Sequence, residues 1–92
     1  MKSNALRIDE RDNVVIATQP VGEGEAVVVG GEKLFEAAED VDAGHKIALK
    51  EIAECENVFR YGEPIVQATR AIHRGQWVHV HNTQPIPGDL KE

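Results

Sequence analysis

Four stretches of this 92-residue chain repeat one form. Val21-x-x-Gly24-x-x-Val27, Val41-x-x-Gly44-x-x-Ile47, Ile52-x-x-Cys55-x-x-Val58 and Ile72-x-x-Gly75-x-x-Val78 each run aliphatic, two residues, small residue, two residues, aliphatic. Such a pattern arises when a strand ends on a buried aliphatic, turns at a small residue and restarts on another aliphatic. Glycine suits the turn because it accepts positive φ. The intervals between the small residues are unequal, which argues against a solenoid array. The expected fold is therefore all-β, a small domain of short strands whose corners reuse one turn.

Local signals place the strands. Leu6 and Ile8 suit a short opening strand, and Asp12-Asn13 reads as a turn. Val14–Thr18 is β-branched and bounded by turn residues, as expected of a strand buried on both faces. Ala26–Val29 and Glu32–Ala37 flank Gly30-Gly31, a two-residue hairpin signal. A strand is expected from about Lys46, followed by strands over 57–61, 65–70 and 77–81. Tyr61-Gly-Glu-Pro64 reads as a turn, and Pro64, which cannot donate to a ladder, belongs at a strand start or edge. The whole chain, 1–92, is expected to be one domain with its core over about 13–82, and 83–92 to be a loosely held tail.

At this size roughly 60–65% of the unfolded surface is buried, enough for a single core. Aromatics are 4% of the chain, so Val, Ile, Ala and Leu must fill it. The formal charge of −6, with Lys and Arg scattered singly, points away from nucleic acid and anionic membranes as partners. Cys55 is the single cysteine, which excludes an internal disulfide and a cysteine-based zinc knuckle. With no run of about 20 apolar residues and no basic leader, a cytoplasmic location is the expectation.

The stretch richest in chemistry is Gly75-Gln-Trp-Val-His-Val-His-Asn82. As a strand it would send Trp77, His79 and His81 to one face, and Gln76, Val78 and Val80 to the other. His79 and His81 would stand about 6.6 Å apart at Cα, close enough for both rings to reach one ion. Two ligands are not a complete site, because a facial triad also needs a carboxylate. His73, beside Arg74, reads as surface, and Trp77 as a core or interface anchor and not a stacking platform. Gly22-Glu-Gly24 is no phosphate loop, since it precedes a strand.

Taken in order, Gly44-His-Lys-Ile-Ala-Leu49, Arg60-Tyr-Gly-Glu-Pro-Ile65, Ala68-Thr69 and Gly75-x-x-Val-His-Val-His-Asn82 resemble the SAF-domain subunit of the altronate/galactarate dehydratase family. That group includes the sulfolactate sulfo-lyase small subunit. The likeness runs from about Asn13 to Asn82. It implies a β-clip fold and a place beside a larger catalytic partner that removes water, or sulfite, from an acidic hydroxylated substrate. SAF domains also occur in type III antifreeze proteins and sialic acid synthases, so fold alone does not settle function. The alternative is a SAF-type binding or interaction module without the chemistry.

Dehydrating a sugar acid takes a base for the proton α to the carboxylate, an acid for the leaving hydroxyl, and a cation to stabilise the intermediate. The resemblance implies a divalent metal, iron or manganese, held mainly by the partner. His45 and Lys46 are the expected catalytic pair: His45 as acid or base, the usual role of an imidazole, and Lys46 as the partner of a substrate carboxylate. Single-chain galactarate members of the family keep the Gly-His-Lys stretch and lose the His-x-His ending, which ranks His45 above the later pair. Arg60, His79 and Asn82 are the expected substrate-binding residues, and His79 and His81 the candidate metal ligands. Two positions depart from the family, which usually has Gly where this chain has Cys55 and Val66. A Cys at a positive-φ corner would carry about 1 kcal/mol of strain.

Overall fold

The computed structural model describes residues 1–87, and all nine strands among them are short and antiparallel. Strands β1 (Ala5–Leu6), β2 (Val14–Ala17), β5 (Lys46–Ala48) and β8 (Trp77–Val78) form a four-stranded sheet in the order β1-β2-β5-β8. Strands β3 (Ala26–Val29) and β4 (Glu32–Glu36) form a hairpin. Strands β6 (Asn57–Arg60) and β7 (Glu63–Ala68) form a second hairpin, extended by β9 (Thr83–Gln84). The fold is the small all-β structure expected from the corner pattern.

The corners explain how the pieces join. Gly24, Gly44, Cys55 and Gly75 all adopt positive φ, from 74° at Cys55 to 93° at Gly75. The aliphatics that precede them pair across the molecule. Val21 and Val41 exchange two backbone hydrogen bonds of 2.8 Å, and so do Ile52 and Ile72. The intervals between corners, which look irregular in sequence, alternate because the chain is internally duplicated at an offset of 31 residues. Val21–Glu51 superimposes in kind on Ile52–Asn82: Gly24 N–H to the Ala37 carbonyl is matched by Cys55 N–H to that of Ala68. Even the bulges correspond, between Val27 and Val28 in one hairpin and between Val58 and Phe59 in the other.

Each repeat buries its own aliphatics. Val21, Val27, Val41 and Ile47 enter one core, and their equivalents Ile52, Val58, Ile72 and Val78 enter the other. The central sheet separates the two cores and serves both. Val14 and Ala48 face the second core, while their neighbours Val15 and Ile47 face the first. This accounts for the unbroken apolar run in β2. A fully buried Val or Ile contributes about 1.5–3 kcal/mol, more than an exposed pair such as Arg11–Asp9. The cores, not the surface charges, hold the fold.

Two asparagines clip the hairpins in the same way. Asn4 Nδ2 donates to the Ala26 carbonyl and its Oδ1 accepts from Val28 N–H; Asn13 does the same for Asn57 and Phe59. Asp12, expected as a turn residue, is instead 1% exposed. Its carboxylate accepts the backbone N–H groups of Asp9, Tyr61 and Gly62, the last at 2.8 Å, and thereby holds the tip of the second hairpin.

Two sequence expectations are corrected. The strand expected over 77–81 stops at Val78, because residues 79–82 form a turn closed by Asn82 N–H to the His79 carbonyl at 3.2 Å. Val80 accordingly lies 78% exposed and not against a core. The tail expected from residue 83 begins with a paired strand, Gln67 aligning with Gln84 and Ala68 with Thr83. The rest of that tail, 88–92, lies outside the described residues. Val66 packs beside Val58 on the second core, so its bulk is absorbed there.

Gly75 and Gly24 differ in one testable respect. A Cβ on Gly75 would stand 2.8 Å from the Glu36 carbonyl oxygen, whereas one on Gly24 would meet nothing within 4 Å. Open space at the equivalent corner is what allows Cys55 a side chain. Gly24→Ala should cost about 1 kcal/mol of stability from φ alone. Gly75→Ala should cost about 2–4 kcal/mol, because overpacking against backbone is added. Urea denaturation of the two variants measures the difference; equal losses would remove the close approach as an explanation.

Candidate functional site

The site forms where β5 and β8 run side by side, Lys46 opposite Val78 and Ile47 opposite Trp77. His45 and Lys46 follow the Gly44 corner, and Trp77 follows the Gly75 corner. Pairing of β5 with β8 brings residues 32 positions apart into contact: Trp77 Nε1 donates to His45 Nδ1 at 3.0 Å. The His79 ring stacks on the indole, with centroids 5.0 Å apart and planes 11° apart. His81 tilts against the same indole at 4.9 Å, and His45 packs on His79 at 5.0 Å. Trp77 also meets the first core. It meets the core as the expected anchor would, but it is also a stacking surface, against expectation, because the turn after Val78 lays the His79 ring on the indole.

The turn after Val78, not strand alternation, puts His79 and His81 there. Asn82 is its keystone, 4% exposed. Its Oδ1 accepts from His79 N–H at 2.9 Å and its Nδ2 donates to the Trp77 carbonyl at 2.8 Å. Thr83 Oγ1 closes the turn onto the His79 carbonyl at 2.7 Å. The amide expected to bind substrate therefore has a structural duty. It repeats the carbonyl-and-N–H grip of Asn4 and Asn13 on residues two apart.

Lys46 and Arg60 supply positive charge to the same edge. Lys46 is half-buried, and burial together with the Arg60 charge lowers its ammonium below the usual lysine value. Arg60 does not pair with Glu63, although their backbones align. Its guanidinium lies 5.3 Å over the Tyr61 ring, and its buried Nε has no hydrogen-bond partner. The ion pairs among the described residues are Arg11–Asp9, Lys33–Glu36 and His73–Glu51, so neither Lys46 nor Arg60 takes part in one. His79 is likewise pushed below the usual histidine value, by burial first and then by the charges of His45, Lys46 and His81. His73 lies at the surface, as expected, with Nδ1 2.6 Å from Glu51 Oε1.

The residues present do not complete a metal centre. Among the described residues no group of three His, Cys, Asp or Glu side chains is disposed to hold an ion. His79 and His81 both turn toward the indole. Beside the turn lies an open cavity of about 340 Å³, lined by Glu39, Arg70, His73, Gln76, His81 and Asn82 among others. Glu39 Oε2 accepts from Trp77 N–H at 2.9 Å, and Arg70 Nη2 donates to the His81 carbonyl at 2.8 Å. Sequence reading did not single out either residue. They are equivalent positions of the two repeats, so the 31-residue offset was the signal that would have found them.

The lowered His79 value has a defined sign. A ring that binds a proton less readily in the folded state adds stability above pH about 6.5 that is lost as pH falls through its folded value. The His79 resonances should titrate with a midpoint below 6.5, and Lys46→Met should move that midpoint upward. An NMR titration of both proteins checks this, and a midpoint unchanged by the substitution would rule out the charge coupling. Lys46→Met should also raise the melting temperature at neutral pH, because it removes a half-buried cation.

Comparison with known proteins matches the sequence to one group. The sequence profile of the altronate/galactarate dehydratase SAF domain matches residues 3–85. The chain is 36% identical to an altronate dehydratase of Bacillus subtilis over 86 residues, covering 94% of this chain and 17% of that protein. It is 39% identical to an altronate dehydratase of Escherichia coli, covering 95% and 17%. Over 50 residues it is 38% identical to the (2R)-sulfolactate sulfo-lyase subunit alpha of Chromohalobacter salexigens, covering 54% and 53%. The chain thus spans about a sixth of the dehydratases and about half of the sulfo-lyase subunit. No helix among the described residues is long and apolar enough to cross a membrane. The chain belongs to the altronate/galactarate dehydratase SAF-domain family.

Proposed function

We propose that this chain is the SAF component of a lyase, a dehydratase or sulfo-lyase acting on an acidic hydroxylated substrate, and that it completes the site of a larger catalytic partner. One observation carries the reading. Lys46 and Arg60 are partly buried cations without an ion-pair partner among the described residues, set beside His45 and His79. Two such cations together are unfavourable unless an anion joins them. A substrate carboxylate would supply that anion. In this reading His45 and Lys46 act at the reacting end, while Arg60 and His79 orient the acid.

A divalent metal, iron or manganese, would provide Lewis-acid stabilisation of the intermediate. The described residues of this chain do not fit a complete site, so the ligands would come mainly from the larger partner. The edge described here is small and open, which suits one wall of a shared site. The relatives favour the same division, since the matching portion is 17% of each altronate dehydratase.

Complementation tests the reading. An altronate dehydratase from which the matching portion has been deleted should regain activity when this chain is added. Alanine at His45, Lys46 or Arg60 should reduce the restored kcat at least about ten-fold, as expected for loss of one charged contact in a closed site. Robust turnover of aldonates or aldarates by this chain alone, with iron or manganese, would overturn the accessory role. Full activity of all three variants would instead leave a SAF-type interaction module without chemistry.

A further inference from the structure

The Trp77–His45 hydrogen bond has a consequence for which reaction role His45 can take. An indole N–H donates and cannot accept. The nitrogen it meets, His45 Nδ1, must therefore offer a lone pair, and in the neutral ring the proton resides on Nε2. We propose that Trp77 is a positioning residue that holds His45 as the Nε2–H tautomer, so that the free edge of this imidazole donates to an anionic oxygen and does not serve as a base.

Trp77 is the rigid member of the pair. Its backbone N–H is held by Glu39 Oε2 and its carbonyl by Asn82 Nδ2. It pairs with Ile47 in the sheet, and its indole is flanked by His79 and His81 at 5.0 and 4.9 Å. His45 sits at the start of β5, half-exposed, with Nε2 making no hydrogen bond to the protein among the described residues. For Nε2 to accept a proton from the neutral ring, the other proton would have to lie on Nδ1. There it would face the indole N–H at 3.0 Å, donor against donor. The neutral imidazole is thus a preset electrophile of the kind that polarises a carboxylate or an enediolate oxygen. Beside Lys46 and Arg60, such a donor matches the negative oxygens of an acid, and base duty passes to another group. The assignment of that anionic oxygen to a substrate rests on the function proposed above; the tautomer does not.

Long-range proton–nitrogen NMR of the ¹⁵N-labelled full chain, at about pH 9 where imidazoles are neutral, reads which ring nitrogen is protonated. The unaltered protein should show His45 with bare Nδ1 and protonated Nε2. Trp77→Phe, which keeps an aromatic ring and removes the N–H, should show both tautomers in exchange. Protonated Nδ1 in the unaltered protein, or an unchanged preference in the variant, would overturn the proposal. A second measurement does not depend on the folding of Trp77→Phe. The Trp77 indole N–H should exchange with water about ten-fold more slowly than in His45→Ala, as one net hydrogen bond predicts; equal rates would overturn the proposal equally. In the complemented enzyme Trp77→Phe should lower kcat about ten-fold with KM little changed. If the accessory-component reading itself is wrong, the spectra stay as expected while His45→Ala costs no activity.

Discussion

The structure depends on the pairing of two corners at a time. Val21 with Val41, and Ile52 with Ile72, exchange backbone hydrogen bonds in the protein interior, each three residues before a residue at positive φ. A buried backbone group without a partner is costly, so these reciprocal bonds decide where strands end and restart. Break one pair and the hairpin on either side loses its footing. β5 and β8 restart after one corner of each pair and lie side by side in the central sheet, and His45 and Trp77 become neighbours there.

The duplication makes two cores from one plan and then lets the surface diverge. Buried positions keep their type across the offset, as Val27 and Val58 or Ile47 and Val78 show. Exposed positions do not: Lys50 of the first repeat corresponds to His81 of the second, and even buried Ala48 gives way to the partly exposed His79. Packing constrains the first set, since an interior responds to a change of even one methylene. The site is therefore asymmetric, taking His45 and Lys46 from the first repeat and Arg60, Trp77, His79 and His81 from the second. The same plan explains the three asparagine grips, which hold one bulge in each hairpin and the turn that carries the histidines.

At the edge of the central sheet, stability and chemistry oppose each other. Lys46 is half-buried beside Arg60, and His79 is crowded by other positive groups, so the folded state is less comfortable than a neutral surface would be. Such unneutralised charge is characteristic of places where an anion is received. The neighbouring cavity, with Glu39 and Arg70 engaged to the backbone of Trp77 and His81, supports the aromatic cluster from behind.

How much of this was legible can be argued from particular residues. The corner pattern, the Gly30-Gly31 hairpin and the β-branched run at Val14 were read correctly, because local sterics and hydrophobic alternation act over a few residues. The ordered motifs were enough to indicate the family. The strand over 77–81 was misread: its alternation is real in sequence, but Asn82 bends the chain back through two bonds that no local rule announces. Asp12 looked like a turn residue because its partners, Tyr61 and Gly62, lie far along the chain. By itself, then, the sequence determined an all-β chain with four corners and named the residues of interest, His45, Lys46, Arg60, His79 and His81. Tertiary structure alone decided that Trp77 joins His45 to the later histidines and that Arg60 has no ion-pair partner among the described residues. Those facts arise from long-range pairing of corners, where distances between side chains are set by backbone bonds remote in sequence.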